Sequence, residues 1–162
     1  MVLLSPNDEY TKTEIEAIKE YVGDGGTLII LGERDSIEVL NKVAINFGIA
    51  FNDDLVYDTE RYTITSNYPL IGKFAFSPLT KGLSDISLIS GCSLSLTPQS
   101  KVLSFSGKTT KSTAINGNLT LMAAAEFGSG KIFSICDTDL FSNKFLKYFD
   151  HGILARNLVN WS

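Results

Sequence analysis

Four residues near the C-terminal end carry the side chains best suited to chemistry: Cys136, Asp137, Asp139 and His151. Cys136 is a candidate nucleophile. A thiolate forms at neutral pH only beside a base or a helix N-terminus, and His151 is the one histidine available as that base. Asp137 and Asp139 are two carboxylates one residue apart, and hard cations such as Mg²⁺ or Ca²⁺ take oxygen ligands of this kind. Each has a simpler structural use. The run Phe133-Ser134-Ile135-Cys136 alternates as a buried strand does, and buried cysteine is common. Asp139 is placed to cap a following helix and Asp137 to fix a turn. Asp53, Asp54 and Asp58 form a second acidic group that reads as a solvated loop.

These residues matter only where the chain puts them, and the N-terminal stretch is the clearest guide. Thr11 and Glu14 have the spacing of a capping box. Ile15, Ile18 and Val22 then share a helix face, and Gly23, Gly25 and Gly26 end it. Thr27–Leu31 is a continuous β-branched and apolar run, as in a strand covered on both faces. With Met1–Leu4 as a first strand this is a β-α-β unit, so a parallel sheet is expected. A second helix follows from Asp35 or Ser36 to Phe47, with Gly48 as its stop and Ile49–Phe51 as a short third strand. Short strands are predicted at Tyr62–Thr65, Ser87–Ile89, Ser93–Leu96 and Val102–Phe105. Leu119–Phe127 and Lys131–Cys136, around Gly128-Ser129-Gly130, give a hairpin. A short helix from Asp139 to Lys147 and a last one from Asp150 to Trp161 complete the pattern. Asp137 and Asp139 then sit at the C-terminal end of a strand, where α/β proteins bind ligands.

The 162 residues suit one domain, with 44% apolar and 20% charged residues. A net charge of −4 argues against general nucleic-acid binding. It is unevenly spread. Residues 61–118 hold six basic residues and one acid, a net +5, which leaves −9 on the remainder. This stretch reads as a β-rich insertion whose basic surface is either a solvated face or a contact surface for an anionic partner. Gly23-Asp24-Gly25-Gly26 follows a helix and precedes a strand, so it is not a phosphate loop. Two cysteines permit one disulfide, but two buried free thiols are expected. No run of eighteen apolar residues marks a membrane span.

Two terminal segments resemble a known family. Ser5-Pro6, a helix ending Tyr21-Val22-x-x-Gly25-Gly26, and the strand after it form one motif. Gly128-Ser129-Gly130, the strand to Cys136, and Asp137-x-Asp139-x-Phe141-x-Asn143 form the other, with Asn157-Leu158-Val159-Asn160-Trp161 beyond. Together, over roughly 2–52 and 119–161, these resemble class I glutamine amidotransferase-like domains. The branch is the non-catalytic one of ABC-transport auxiliary and gliding-motility-type proteins. The resemblance implies a flavodoxin-like three-layer α/β sandwich with a mostly parallel sheet, an antiparallel C-terminal hairpin and a β-rich insertion. It also implies no amidotransferase chemistry. No Gly-x-Cys-x-Gly elbow is present, because Leu94 stands where the second glycine belongs, and His151 has no glutamate two residues on.

The resemblance further implies a non-catalytic binding or accessory domain of a membrane transport or surface assembly system, cytoplasmic or membrane-associated. No cofactor is expected, and the partner is a protein or a small ligand. A ligand would face Glu33, Asp137, Asp139 and Asn143 in the strand-end crevice. The alternatives are a small-molecule or sugar-binding module at that crevice and a cysteine-dependent hydrolase using Cys136 and His151. Such domains begin with a further strand and helix, and in flavodoxin-like order the first strand is central. Its loss would open the sheet, so the chain is expected to be a fragment or to have the gap filled in a homodimer.

Overall fold

The computed structural model describes residues 1–6 and 8–162; Asn7, in the loop expected between the first strand and helix, lies outside them. The N-terminal unit forms as its sequence dictates. Strand β1 is Val2–Leu4, helix α1 Lys12–Gly23 and strand β2 Thr27–Leu31. Thr11 caps α1: its N–H donates to the Glu14 carboxylate at 2.7 Å, and Glu14 N–H donates back to its hydroxyl at 3.3 Å. Thr11→Ala removes one half of this box and is expected to cost about 1 kcal/mol in chemical denaturation. The helix ends at Asp24, and Gly25 rather than Gly23 takes the positive φ, +109°.

A 3₁₀ turn, Arg34–Ser36, leads into α2 (Ile37–Ala44), and a second one, Ile45–Phe47, ends at Gly48 with φ +75°. The remaining strands are β3 (Ile49–Phe51), β4 (Val56–Tyr57), β5 (Leu70–Ile71), β6 (Ile86–Ser87), β7 (Leu94–Leu96), β8 (Lys101–Phe105), β9 (Lys111–Ser112), β10 (Thr120–Phe127) and β11 (Gly130–Ile135). Helix α3 is His151–Trp161. Tyr62–Thr65 is not a strand; Tyr62 makes an isolated bridge to Pro69.

One seven-stranded mixed sheet dominates, in the order β1-β2-β11-β10-β7-β3, with β8 also on β10. Only β1–β2 and β2–β11 are parallel among the described residues. The pairings β11–β10, β10–β7, β10–β8 and β7–β3 are antiparallel. The expected mostly parallel sheet is therefore corrected to a mixed one. Two segments of the supposed insertion, β7 and β8, are integral to it.

Both faces are covered, which explains the unbroken apolar run of β2. Its Leu28 and Ile30 join α1 and α2 in one cluster, while Ile29 and Leu31 join α3 and residues of the 56–121 segment in the other. Among the described residues β2, β11 and β10 each have a neighbour on both sides, and β1 lies at an edge.

Candidate functional site

Strands β1, β2 and β11 run parallel and end together, which brings Gly32-Glu33 and Cys136 to Asp139 to one end of the sheet. Asp137 is 1% exposed. Its carboxyl accepts from the Ile89 N–H at 2.5 Å and the Leu140 N–H at 2.9 Å. Burial disfavours the anion more strongly than these two N–H groups favour it, and neighbouring Glu33 and Asp139 add repulsion, so its pKa is pushed up to about 8. Glu33 turns away to bind the backbone N–H and hydroxyl of Thr138. Asp139 and Asn143 are exposed.

Cys136 is not a free thiol. It is disulfide-bonded to Cys92, with Cα atoms 5.2 Å apart, and this corrects the expectation of two thiols. Gly91 permits the approach, because a Cβ there would clash with the Cys136 carbonyl. His151 is fully buried. Its Nε2 accepts from the Ser87 N–H at 2.9 Å and its Nδ1–H donates to the Phe145 carbonyl at 2.8 Å. Both nitrogens are used by the neutral ring, and burial holds its pKa below the usual histidine value.

One segment links these observations. Residues 86–93 run from the short strand β6 to the start of β7 outside the main sheet, so their backbone N–H groups need other partners. His151 serves Ser87, Asp137 serves Ile89, and Asp54 serves Ser93 at 2.8 Å, while the disulfide holds Cys92. Four side chains from three separate parts of the chain pin one strip of backbone. The residues of richest chemical type are its clamps.

Asp54 was part of the loop read as solvated. In fact Asp54 and Asp58 are both 1% exposed, and only Asp53 faces solvent. Asp54 also accepts from the hydroxyls of Ser93 and Ser112. Asp58 accepts from the N–H groups of Glu60 and Arg61 and from the Thr109 and Thr110 hydroxyls. Burial alone would raise its pKa; these four bonds outweigh burial and lower it. The available signal was the serine and threonine of residues 93–112, whose hydroxyls are donors without charge.

Among the described residues, no three His, Cys, Asp or Glu side chains are grouped to hold a metal ion. Clefts occur elsewhere. One of about 280 Å³ lies at the β10–β11 turn beside Lys101, Lys131 and Trp161, and another of about 190 Å³ lies between β1 and α3.

A family match covers residues 1–159: a domain of unknown function, DUF4350. The chain belongs to the DUF4350 family. No curated protein matches it. Among solved structures, this DUF4350 domain is similar to the mmIFT52 N-terminal domain, with TM-score 0.83, 18% identity, 99% of this chain and 75% of that chain covered. It is also similar to cytoplasmic protein STM1381 of Salmonella typhimurium LT2, with TM-score 0.54, 18% identity, 91% of this chain and 59% of that chain. A β-galactosidase from Rahnella sp. R3 shares the fold at TM-score 0.62 and 13% identity, over 99% of this chain and 22% of that enzyme. At such identities the likeness is one of fold. The family match and these neighbours overturn the glutamine amidotransferase-like assignment, and the transport-auxiliary role inferred from it falls with it. No helix among the described residues is long and apolar enough to cross a membrane.

Proposed function

We propose that this DUF4350 domain is a non-catalytic interaction module that works through its surfaces. The observation that carries this reading is the commitment of the reactive side chains. Asp137, His151 and Cys136 are each buried and engaged in holding residues 86–93, whereas a general base must reach a substrate proton. The recurrence of the fold as 22% of a much longer enzyme fits a module that serves larger proteins. The Cys92–Cys136 bond fits maturation in an oxidising compartment.

A thermal-shift screen against Mg²⁺, Ca²⁺, Mn²⁺, Zn²⁺, nucleotides, sugars and glutamine tests the reading. A ligand specific to the folded state raises its stability with the logarithm of saturation. The expected result is a flat profile. A shift from one ligand class that disappears in Asp139→Ala or Asn143→Ala, the exposed members of the strand-end group, would establish a crevice site and overturn the proposal.

A further inference from the structure

We infer that Asn116 is a self-modifying site: in the folded chain its side-chain amide is lost to attack by the Gly117 backbone nitrogen, which leaves aspartate and isoaspartate at position 116.

The chemistry needs a carboxamide, an unhindered nitrogen one residue on, and backbone free to bring the two together. Asn116-Gly117 is the single Asn-Gly pair in the chain. The other nine asparagines precede Asp, Lys, Phe, Tyr, Leu or Trp, whose side chains crowd the nitrogen that would attack. Gly117 has φ +99°, and a Cβ built on it would meet nothing within 4 Å. The absence of a side chain makes this conformation accessible without strain, and the space around the nitrogen is open.

The fold leaves the pair loose while holding the chain on either side. Before it, the N–H groups of Ala114 and Ile115 donate to the Ser112 hydroxyl at 3.2 and 3.1 Å. After it, the buried Leu119 donates to the Ser106 hydroxyl at 2.9 Å and accepts from the Ser106 N–H at 3.0 Å. Asn116, Gly117 and Asn118 between these pins are exposed, and no hydrogen bond among the described residues engages them.

Asparagine amides elsewhere are held. Asn41 bonds both the N–H and the carbonyl of Phe51. Asn46 donates to the Lys42 and Val43 carbonyls, Asn52 to the Ser93 hydroxyl, and Asn157 to the Leu79 and Lys81 carbonyls. A fixed carboxamide does not turn toward the next nitrogen. That of Asn116 is free to make the close approach on which an intramolecular reaction depends.

The Gly117 nitrogen forms a bond to Cγ of Asn116 and gives up its proton, which departs with the side-chain NH₂ as ammonia. The product is a five-membered succinimide. Water then opens the ring. Cleavage of the new N–Cγ bond gives aspartate, and cleavage on the main-chain side gives isoaspartate, whose backbone runs through the side-chain carbons. Water is the one co-reactant, and nothing is oxidised or reduced. One amide becomes one carboxylate, which adds a negative charge to a chain of net charge −4.

The test follows the wild-type chain at neutral pH, folded and in parallel in urea, by mass and retention of its proteolytic fragments. The fragment holding residue 116 should exchange an amide for an acid at a similar rate in both, as two products, one of them a substrate for an isoaspartyl methyltransferase. Asn41, Asn46, Asn52 and Asn157 should stay intact in the folded chain. Gly117→Ala should slow the reaction by about tenfold or more. Reaction at residue 116 only in urea, no reaction in either condition, faster loss at any of the four held asparagines, or a Gly117→Ala rate equal to that of wild type would overturn the assignment.

Discussion

Reducing the Cys92–Cys136 disulfide lowers the stability of the domain by about 4 kcal/mol. The bond closes a loop of sequence separation 44, and the chain-entropy relation for a loop of that size gives about 4 kcal/mol at 25 °C. For a domain of this length the loss corresponds to a fall in Tm of roughly 10 °C. Denaturant titrations with and without reductant measure it, with Cys92→Ala as a genetic counterpart that breaks the same bond. The effect should also be local. Cys92 belongs to the strip pinned by His151, Asp137 and Asp54, so amides of Ile89 and Ser93 should exchange faster in the reduced protein at denaturant levels where β10–β11 amides remain protected. A reduced protein with an unchanged midpoint and unchanged exchange at 89 and 93 would show that the other clamps suffice.

The elements legible in the sequence were those specified by neighbours. The Thr11–Glu14 box, the Thr27–Leu31 strand and the hairpin around Gly128-Ser129-Gly130 all lie within about ten residues of the groups that determine them. What failed depended on partners far along the chain. Ile49–Phe51 reads as a strand, but its antiparallel partner is Leu94–Leu96, and a three-residue apolar run does not state direction. The predicted helix from Asp139 to Lys147 shrinks to the 3₁₀ turn Asp139–Phe141. It ends at Ser142, whose backbone is extended with ψ 159°, and the chain beyond makes only separate turns, with the Leu146 N–H on the Ser142 carbonyl and the Tyr148 N–H on the Phe145 carbonyl.

The candidate site followed the same division. Sequence placed Glu33, Asp137 and Asp139 at one sheet end, and the register of β2 and β11 does bring them together. Which of them face solvent was decided by residues 86–93, whose course has no local signature. The family resemblance erred for a related reason. Tyr-Val-x-x-Gly-Gly and Gly-x-Gly are a helix stop and a hairpin turn, so they report pieces of fold shared by many α/β chains and do not identify a lineage. Spacing alone could not show that Cys92 and Cys136 meet, since it takes the end of β11 and the approach to β7 to bring them within bonding distance.

Asp137 makes the stability of the domain fall as pH rises from mildly acidic to alkaline values. Its carboxyl has a pKa of about 8 when folded and an ordinary value of 3.8 when unfolded. Between those limits the folded state binds more protons than the unfolded one, so the slope of unfolding free energy with pH is negative. The loss is complete once pH passes about 8. Each pH unit inside the window is worth up to about 1.4 kcal/mol. His151 has the opposite sign. Its folded pKa is depressed, so the unfolded state takes up the proton first and stability falls as pH drops below about 6.5. The clean window for Asp137 is therefore pH 6.5 to 8, where urea titrations should show a loss of about 2 kcal/mol. Asp137→Asn is neutral at every pH and should flatten that window. At pH 6 it should be less stable than wild type, because its amide nitrogen is a donor facing another donor, the N–H of Ile89 or Leu140. If the variant keeps the wild-type slope, the carboxyl of Asp137 is ionised throughout this range, and the pinned strip is held by a buried anion.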